Sequence, residues 1–377
     1  MPQPIERALG GVEMSGVISR AHEFWQFIKE ELKPTPDRAW SATRIVVAAV
    51  ATVIVGETLR IPFPAFSAYL VFFVANEDAL LSIRLGTLAM ITATAVLAGA
   101  IGVAICFMDA PWFRLPSTLF LVWGSVWLSR TLAINLIGII LGVILSLYLS
   151  LADTIFDAET LTKSTLWLWS VVGLAVAITV LVDLLLTRGL SKPAQKKESS
   201  KGFVSDAFTN PDYAWFASKT IFAVILCEIF MNAVNWPGIR TSMITCVVTA
   251  LATDEKRHQK QMLRVLGVCA GGLVGLFAIL FVIPQLDSIV GLTLLIAAAT
   301  FPFAWVAAGS PRSSYAGFQM ALAFYMMLLP GFDTSIDLTS IRDRFVGILI
   351  GNTAMWIMFD VFRSSSDSTV RPVIPQS

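Results

Sequence analysis

The sequence predicts an all-α polytopic membrane protein of twelve transmembrane helices, arranged as two parallel six-helix repeats. Three observations predict it. The 377 residues are 56% hydrophobic and only 14% charged, with a mean hydropathy of +0.74, whereas a soluble domain carries roughly 25% charged residues. A single long polar stretch, 188–212, interrupts this apolar chain near its middle; it holds Arg188, Lys192, Lys196, Lys197 and Lys201. A charge at membrane depth costs about 2.5–3.5 kcal/mol on insertion scales, so this stretch stays outside the bilayer. Finally, the halves on either side resemble each other. Ala39-Trp40-Ser41-Ala42-Thr43-Arg44 precedes the first apolar run, and Ala214-Trp215-Phe216-Ala217-Ser218-Lys219 follows the polar stretch, 175 positions later. The same offset relates Ala48 to Ala223 and Pro62 to Pro237. Arg130 and Arg312 fall in the short loops after the fourth runs, 182 positions apart, and Asp183 and Asp360 close the sixth. Self-similarity at a fixed offset is the mark of a duplicated unit.

In chain order, residues 1–37 form an N-terminal segment. Within it Val17, Ile18, Ala21, Phe24, Trp25, Ile28 and Leu32 recur at helical spacing opposite His22, Glu23, Gln26, Lys29 and Glu30. That pattern predicts a helix lying in the membrane interface, or packed on cytoplasmic loops or a partner. A span needs about 20 apolar residues. Residues 38–187 supply six runs, at roughly 40–60, 64–82, 86–108, 115–130, 132–152 and 165–187. The basic linker 188–212 follows. Residues 213–363 supply six more, at roughly 214–235, 238–253, 262–284, 287–309, 313–331 and 341–362, before a tail at 364–377. With both termini cytoplasmic, all but six of the 27 Lys and Arg fall inside; Arg60, Arg114, Lys163, Arg240, Arg342 and Arg344 fall outside. That bias obeys the positive-inside rule. An even number of spans per half makes the repeats parallel, related by an axis near the membrane normal, along which a substrate route is expected.

Several function classes are excluded. The net charge of +1 gives no field for nucleic acid. Cys106, Cys227, Cys246 and Cys269 lie in apolar runs without C-x-x-C spacing, and His22 and His258 lack ligand partners nearby, so no metal site is suggested. There is no nucleophile elbow and no P-loop, hence no enzyme and no cofactor. Gly267, Gly271 and Gly275 stand four apart inside an apolar run, which suits close helix packing.

Particular segments carry a family resemblance. NPDYAWFASKTIFAV (210–224), NWPGIRTSMITCVVTAL (235–251), AWVAAGSPRSSYAGFQMALAF (304–324) and DLTSIRDRFVGILIGN (337–352) resemble the second membrane half of the fusaric acid resistance family. FWQFIKEELKPTPDR (24–38) resembles its amphipathic lead-in. The resemblance implies a bacterial inner-membrane transporter of the aromatic acid exporter superfamily. It exports small aromatic or organic acids or related toxic compounds, beside a periplasmic adaptor and an outer-membrane channel. Plant aluminium-activated malate transporters are similar at a distance, which keeps a passive organic-anion channel as the alternative; a non-transporting assembly protein is the third. Homo-oligomers fit any of these. Family members typically carry a large soluble domain after each half, whereas here the linker and the tail are short.

Candidate residues follow from charge at membrane depth. Arg44 and Lys219 lie one turn inside the first and seventh spans, as an anion-attracting ring at the cytoplasmic mouth or as snorkelling interfacial cations. Arg130 and Arg312 form a second matched pair. Arg312, Tyr315 and Gln319 share one helical face, where a guanidinium, a phenol ring and an amide suit an aromatic carboxylate; interfacial anchoring and interhelical polar contacts are the alternative. Glu228 and Glu57 are the carboxylates that would suit proton coupling, or else structural partners of nearby cations. Asp183 and Asp360 are expected to find a cation, such as Arg188 or Arg363.

Overall fold

The computed structural model describes residues 33–75, 79–107, 109–132, 135–152, 154–155, 157–186, 203–251, 257–310, 313–329 and 338–362. The interfacial helix expected in 17–33, most of the linker, Arg312 and the tail lie outside these residues. The described chain is helical, with twelve α-helices and no strand among the described residues. They are α1 (Pro36–Thr58), α2 (Pro64–Val74), α3 (Ala79–Phe107), α4 (Pro111–Thr131), α5 (Asn135–Ala152), α6 (Ala158–Leu186), α7 (Pro211–Ala233), α8 (Thr241–Leu251), α9 (Arg257–Phe277), α10 (Ile289–Ala307), α11 (Ser314–Leu328) and α12 (Leu338–Val361). Each of the twelve apolar runs holds one of them.

Local chemistry sets the helix starts. α1, α2, α4 and α7 each begin with proline in the first turn, where its missing N–H has no helical partner to lose. The Asn210 side chain caps α7 by accepting from the Asp212 N–H at 3.0 Å, and Ser288 caps α10 by accepting from the Gly291 N–H at 3.2 Å. α9 runs on through a π turn (Ala278–Val282) into a 3₁₀ turn at Ile283–Gln285, where Pro284 ends the ladder.

The ends of α1 and α7 are built alike. The Ile61 N–H donates to the Gly56 carbonyl at 2.8 Å, and the Trp236 N–H donates to the Met231 carbonyl at 3.0 Å. Arg60 (φ 52°) and Asn235 (φ 48°) take the left-handed conformation at the same step. Each cap closes its helix with a six-to-one bond and leads into a proline, Pro62 or Pro237.

Among the described residues, seven helices are long and apolar enough to cross a membrane: α1, α3, α6, α7, α9 with its extension, α10 and α12. α2 and α8 are shorter than the runs at 64–82 and 238–253 suggested. Eleven residues reach only about 16 Å at 1.5 Å per residue, against a hydrocarbon core of about 30 Å. Their burial supplies the reason. All of α8 and all but one residue of α2 are buried, so the two form the centre of the bundle, where protein and not lipid surrounds the backbone.

Packing is organised around them. α1 packs on α2, α6 and α10; α7 packs on α8, α12 and α4. α2 also touches α6 and α11, while α8 touches α12 and α5. Small residues bring α9 against α11: a Cβ at Gly267 would lie 2.7 Å from the Ala316 carbonyl oxygen, and one at Gly271 would overlap the Met320 backbone. The glycine spacing read from the sequence therefore is a packing seam.

The end of the linker differs from a plain polar tether. The Val204 N–H donates to the Thr131 carbonyl at 2.8 Å, and Phe203 and Phe208 pack on Trp127 at the end of α4. Two apolar rings inside a charged stretch make this docking favourable.

Candidate functional site

A partly open cleft of about 230 Å³ lies where the start of α1, the end of α2, the end of α10 and the start of α11 meet. Ser41, Arg44 and Ile45 come from α1, and Phe72 and Ala75 from α2 and its cap. Ala307 and Ala308 end α10, and Phe318 comes from α11. The cleft thus sits between helices of the two halves, at the end of the bundle where α1 and α11 begin.

Its floor is charged and its walls are aromatic. Arg44 is only 3% exposed. Its Nη2 and Nε donate to Asp183 Oδ1 on α6 at 2.7 and 3.0 Å. Ser82 Oγ on α3 donates to Asp183 Oδ2 at 2.6 Å. One carboxylate therefore joins α1, α3 and α6. Asp183 lies in the last turn of α6, where the helix dipole disfavours an anion, and Arg44 and Ser82 offset both that and its burial. The cation that Asp183 meets is Arg44, from the far end of the first half, where the sequence suggested Arg188, which lies outside the described residues. With Nε and Nη2 turned to Asp183, Nη1 is the guanidinium nitrogen left for a ligand. Phe318 stacks on Phe73 at 4.9 Å and meets Phe72 edge-on at 6.0 Å, forming the apolar wall.

Arg38 straps the mouth. Its Nε donates to the Trp305 carbonyl at 2.7 Å, and its guanidinium lies over the Trp305 ring at 5.3 Å. It thereby ties α1 to the end of α10 beside Ala307 and Ala308.

The other expected site residues are dispersed. Lys219 on α7 is 3% exposed, with Nζ 5.6 Å from the Trp215 ring and 5.4 Å from the Phe359 ring. Asp360, the sequence mate of Asp183, is exposed, so the buried Arg–Asp arrangement has no copy there. Arg130 stacks on Phe216 at 4.2 Å and donates from Nη2 to the Ala250 carbonyl at 3.1 Å. Gln319 is buried against Gly267 of α9 with neither amide atom hydrogen-bonded, one position on from the Phe318 that lines the cleft. Tyr315 is half-buried on α11; Glu57 and Glu228 are half-buried on α1 and α7, away from the residues lining the cleft. Arg312 lies outside the described residues. Sequence reasoning missed Phe72, Phe318, Ser41 and Arg38. The signal for Arg38 was present, as a second cation six positions before Arg44; the phenylalanines were indistinguishable from lipid-facing ones.

No group of three or more potential metal ligands occurs among the described residues. The arrangement offers a fixed cation beside apolar aromatic walls, which suits a small planar anion.

Residues 190–376 match the model of the fusaric acid resistance protein family. The second half of the chain belongs to that family. This fusaric acid resistance domain contributes Ala307, Ala308 and Phe318 to the cleft, and the first half contributes the arginine. The chain is 39% identical over 181 residues to the multidrug resistance protein MdtO of Escherichia coli (strain K12), covering 48% of this chain and 26% of that protein. The MdtO proteins of Shigella flexneri and Escherichia coli O157:H7 match over the same share at the same identity. The chain thus spans about a quarter of the length of the curated relatives it matches. No solved structure matches it.

Proposed function

We propose that this chain is the membrane part of a secondary exporter of small aromatic or related organic acids in the bacterial inner membrane. Its twelve helices form two parallel six-helix repeats, 38–187 and 213–363, with both termini and the linker in the cytoplasm. The cleft holding Arg44 beside Phe72 and Phe318 carries this reading. A guanidinium gives a carboxylate a charge-assisted partner, and the flat walls accept a ring. The matched caps after α1 and α7, at the sequence offset of 175, support the duplication, as does the packing of α1 on α10 beside that of α7 on α4. The relatives named for multidrug resistance support export over passive flow.

In this mechanism an acid enters from the cytoplasmic end, its carboxylate meets Nη1 of Arg44, and its ring displaces water from Phe72 and Phe318. Lys219, in the second repeat, is the basic mate of Arg44, and Arg130, in the first, is the mate of Arg312. Arg312 and Tyr315 extend the recognition of the acid, and Gln319, buried against α9, is the third polar residue of that series. Glu228 and Glu57, carboxylates on helices of the membrane bundle, carry proton coupling. A periplasmic adaptor and an outer-membrane channel would receive the product, and a homo-oligomer is compatible with the design.

Efflux from energised inverted vesicles tests this. Arg44→Lys keeps the charge but loses the fork that holds Asp183 and ligand together. It lowers efflux of an aromatic acid roughly tenfold or more, in line with one charge-assisted hydrogen bond, and leaves its amide unaffected. Glu228→Gln lowers only the part that depends on the proton gradient. Equal losses for acid and amide would sink the carboxylate site; gradient dependence unchanged in the glutamate variant would remove Glu228 from coupling.

A further inference from the structure

The last turn of α2 borders two spaces at once. Phe72 and the cap residue Ala75 line the cleft that holds Arg44. Leu70, Phe73 and Val74 line a second space, closed by Ala89 of α3, Ile140 of α5, and Val172 and Val176 of α6. This cavity measures about 10 Å³, and the residues lining it are all apolar. It has room for one water at most and no hydrogen-bond partner for it, so it stays dry. Phe73 belongs to both spaces. Its ring stacks on that of Phe318, which lines the cleft, at 4.9 Å between centres and 16° between planes. The Tyr69 ring meets it edge-on at 5.1 Å. Both arrangements are the favoured geometries of aromatic pairs, so the ring is held where it is. The cleft on its near side measures about 230 Å³, below the roughly 300–1,000 Å³ of pockets that take drug-sized ligands.

From this we infer that Phe73 sets the size of acid the cleft accepts. It is the wall between the cleft and the apolar cavity behind it, and while it stands the site takes compact, single-ring acids without a long apolar substituent. The inference deepens the reading of the cleft as a carboxylate site and rests on it. Phe73 acts by shape alone. It carries no charge, so choice of a carboxylate stays with Arg44, and choice of length falls to the ring. Truncating that ring joins the cavity to the cleft. An alkyl tail then has dry, apolar surroundings among Ala89, Ile140 and Val172, where each buried methylene strengthens binding about fourfold.

Equilibrium binding of benzoate and 4-propylbenzoate, each beside its amide, to the purified full chain tests this. Wild type binds benzoate and takes 4-propylbenzoate no more tightly. Phe73→Ala tightens 4-propylbenzoate roughly tenfold or more, as burial of two or more methylenes gives, and changes benzoate little. 4-Propylbenzamide gains by the same factor, because the tail and not the carboxylate makes the new contact. Phe73→Leu is the milder truncation should the alanine variant fold poorly, and it gives a smaller gain of the same sign. Adding Ala89→Leu refills the cavity from α3 and cancels the gain. No gain in either folded Phe73 variant would overturn the proposal. So would a wild type that already favours the propyl acid as strongly as Phe73→Ala does, or a gain that survives Ala89→Leu. A wild type that binds benzoate and benzamide alike would instead count against the carboxylate site at Arg44, a separate failure, because the two amides still read the wall.

Discussion

Arg44→Gln and Asp183→Asn, made singly, each destabilise the protein by about 3–5 kcal/mol, because each leaves one buried charge without its partner. Made together they cost much less. The pair is 3% and 1% exposed, so either ion alone faces the low-polarity interior of the bundle. The double variant leaves no buried charge behind, and Ser82 on α3 retains a hydrogen-bonding partner in the carboxamide at position 183 on α6. Unfolding of the purified protein in mixed detergent, followed for the two single variants and the double one, measures this. A coupling of at least about 2 kcal/mol is expected, since contacting charged groups are strongly non-additive. Simple additivity would mean that the pair does not hold the three helices together.

Gly271→Ala has the second large effect. The new methyl would overlap the Met320 backbone of α11, and main chain cannot rotate away as a side chain can. The helices α9 and α11 must separate, at a cost of about 1–3 kcal/mol for overpacking, and Gly271→Leu removes the folded species. Gly99 on α3 is the control: nothing lies within 4 Å of a Cβ built there. Gly99→Ala is neutral or stabilising by up to about 1 kcal/mol, through helix propensity. The yield of monodisperse protein and its melting temperature read both. A harmless Gly271→Ala would contradict the close approach of α9 to α11.

How much of this was legible in the sequence depends on what each feature rests on. Membrane helices announce themselves through hydropathy, so all twelve helical runs were visible. Their lengths were not: α2 and α8 read as spans because a core helix and a lipid-facing helix are equally apolar, and only burial tells them apart. The glycine seam was readable because close packing demands small residues at fixed spacing. Arg44 was readable as a cation at membrane depth. Its partner was not, since Asp183 lies 139 positions away and only the fold brings α6 to α1. The helical spacing from Arg312 drew attention to Tyr315 and Gln319, but one helical step separates Gln319 from Phe318. That step turns Phe318 to the cleft and Gln319 to α9. The offset of 175 predicted that Lys219 would mirror Arg44; it could not foresee that Arg130 would lie on the Phe216 ring and donate to the Ala250 carbonyl.

The most direct test of the central claim, that Arg44 makes the cleft a carboxylate site, is equilibrium binding of benzoate and benzamide to the purified protein. The variant to compare is the double one, Arg44→Gln with Asp183→Asn, which removes the cation without leaving a buried charge. Benzoate binding falls roughly tenfold or more, as expected for losing one charge-assisted hydrogen bond, while benzamide, held by Phe72 and Phe318, binds as before. Benzoate bound equally well by wild type and double variant, with the variant folded, would contradict it.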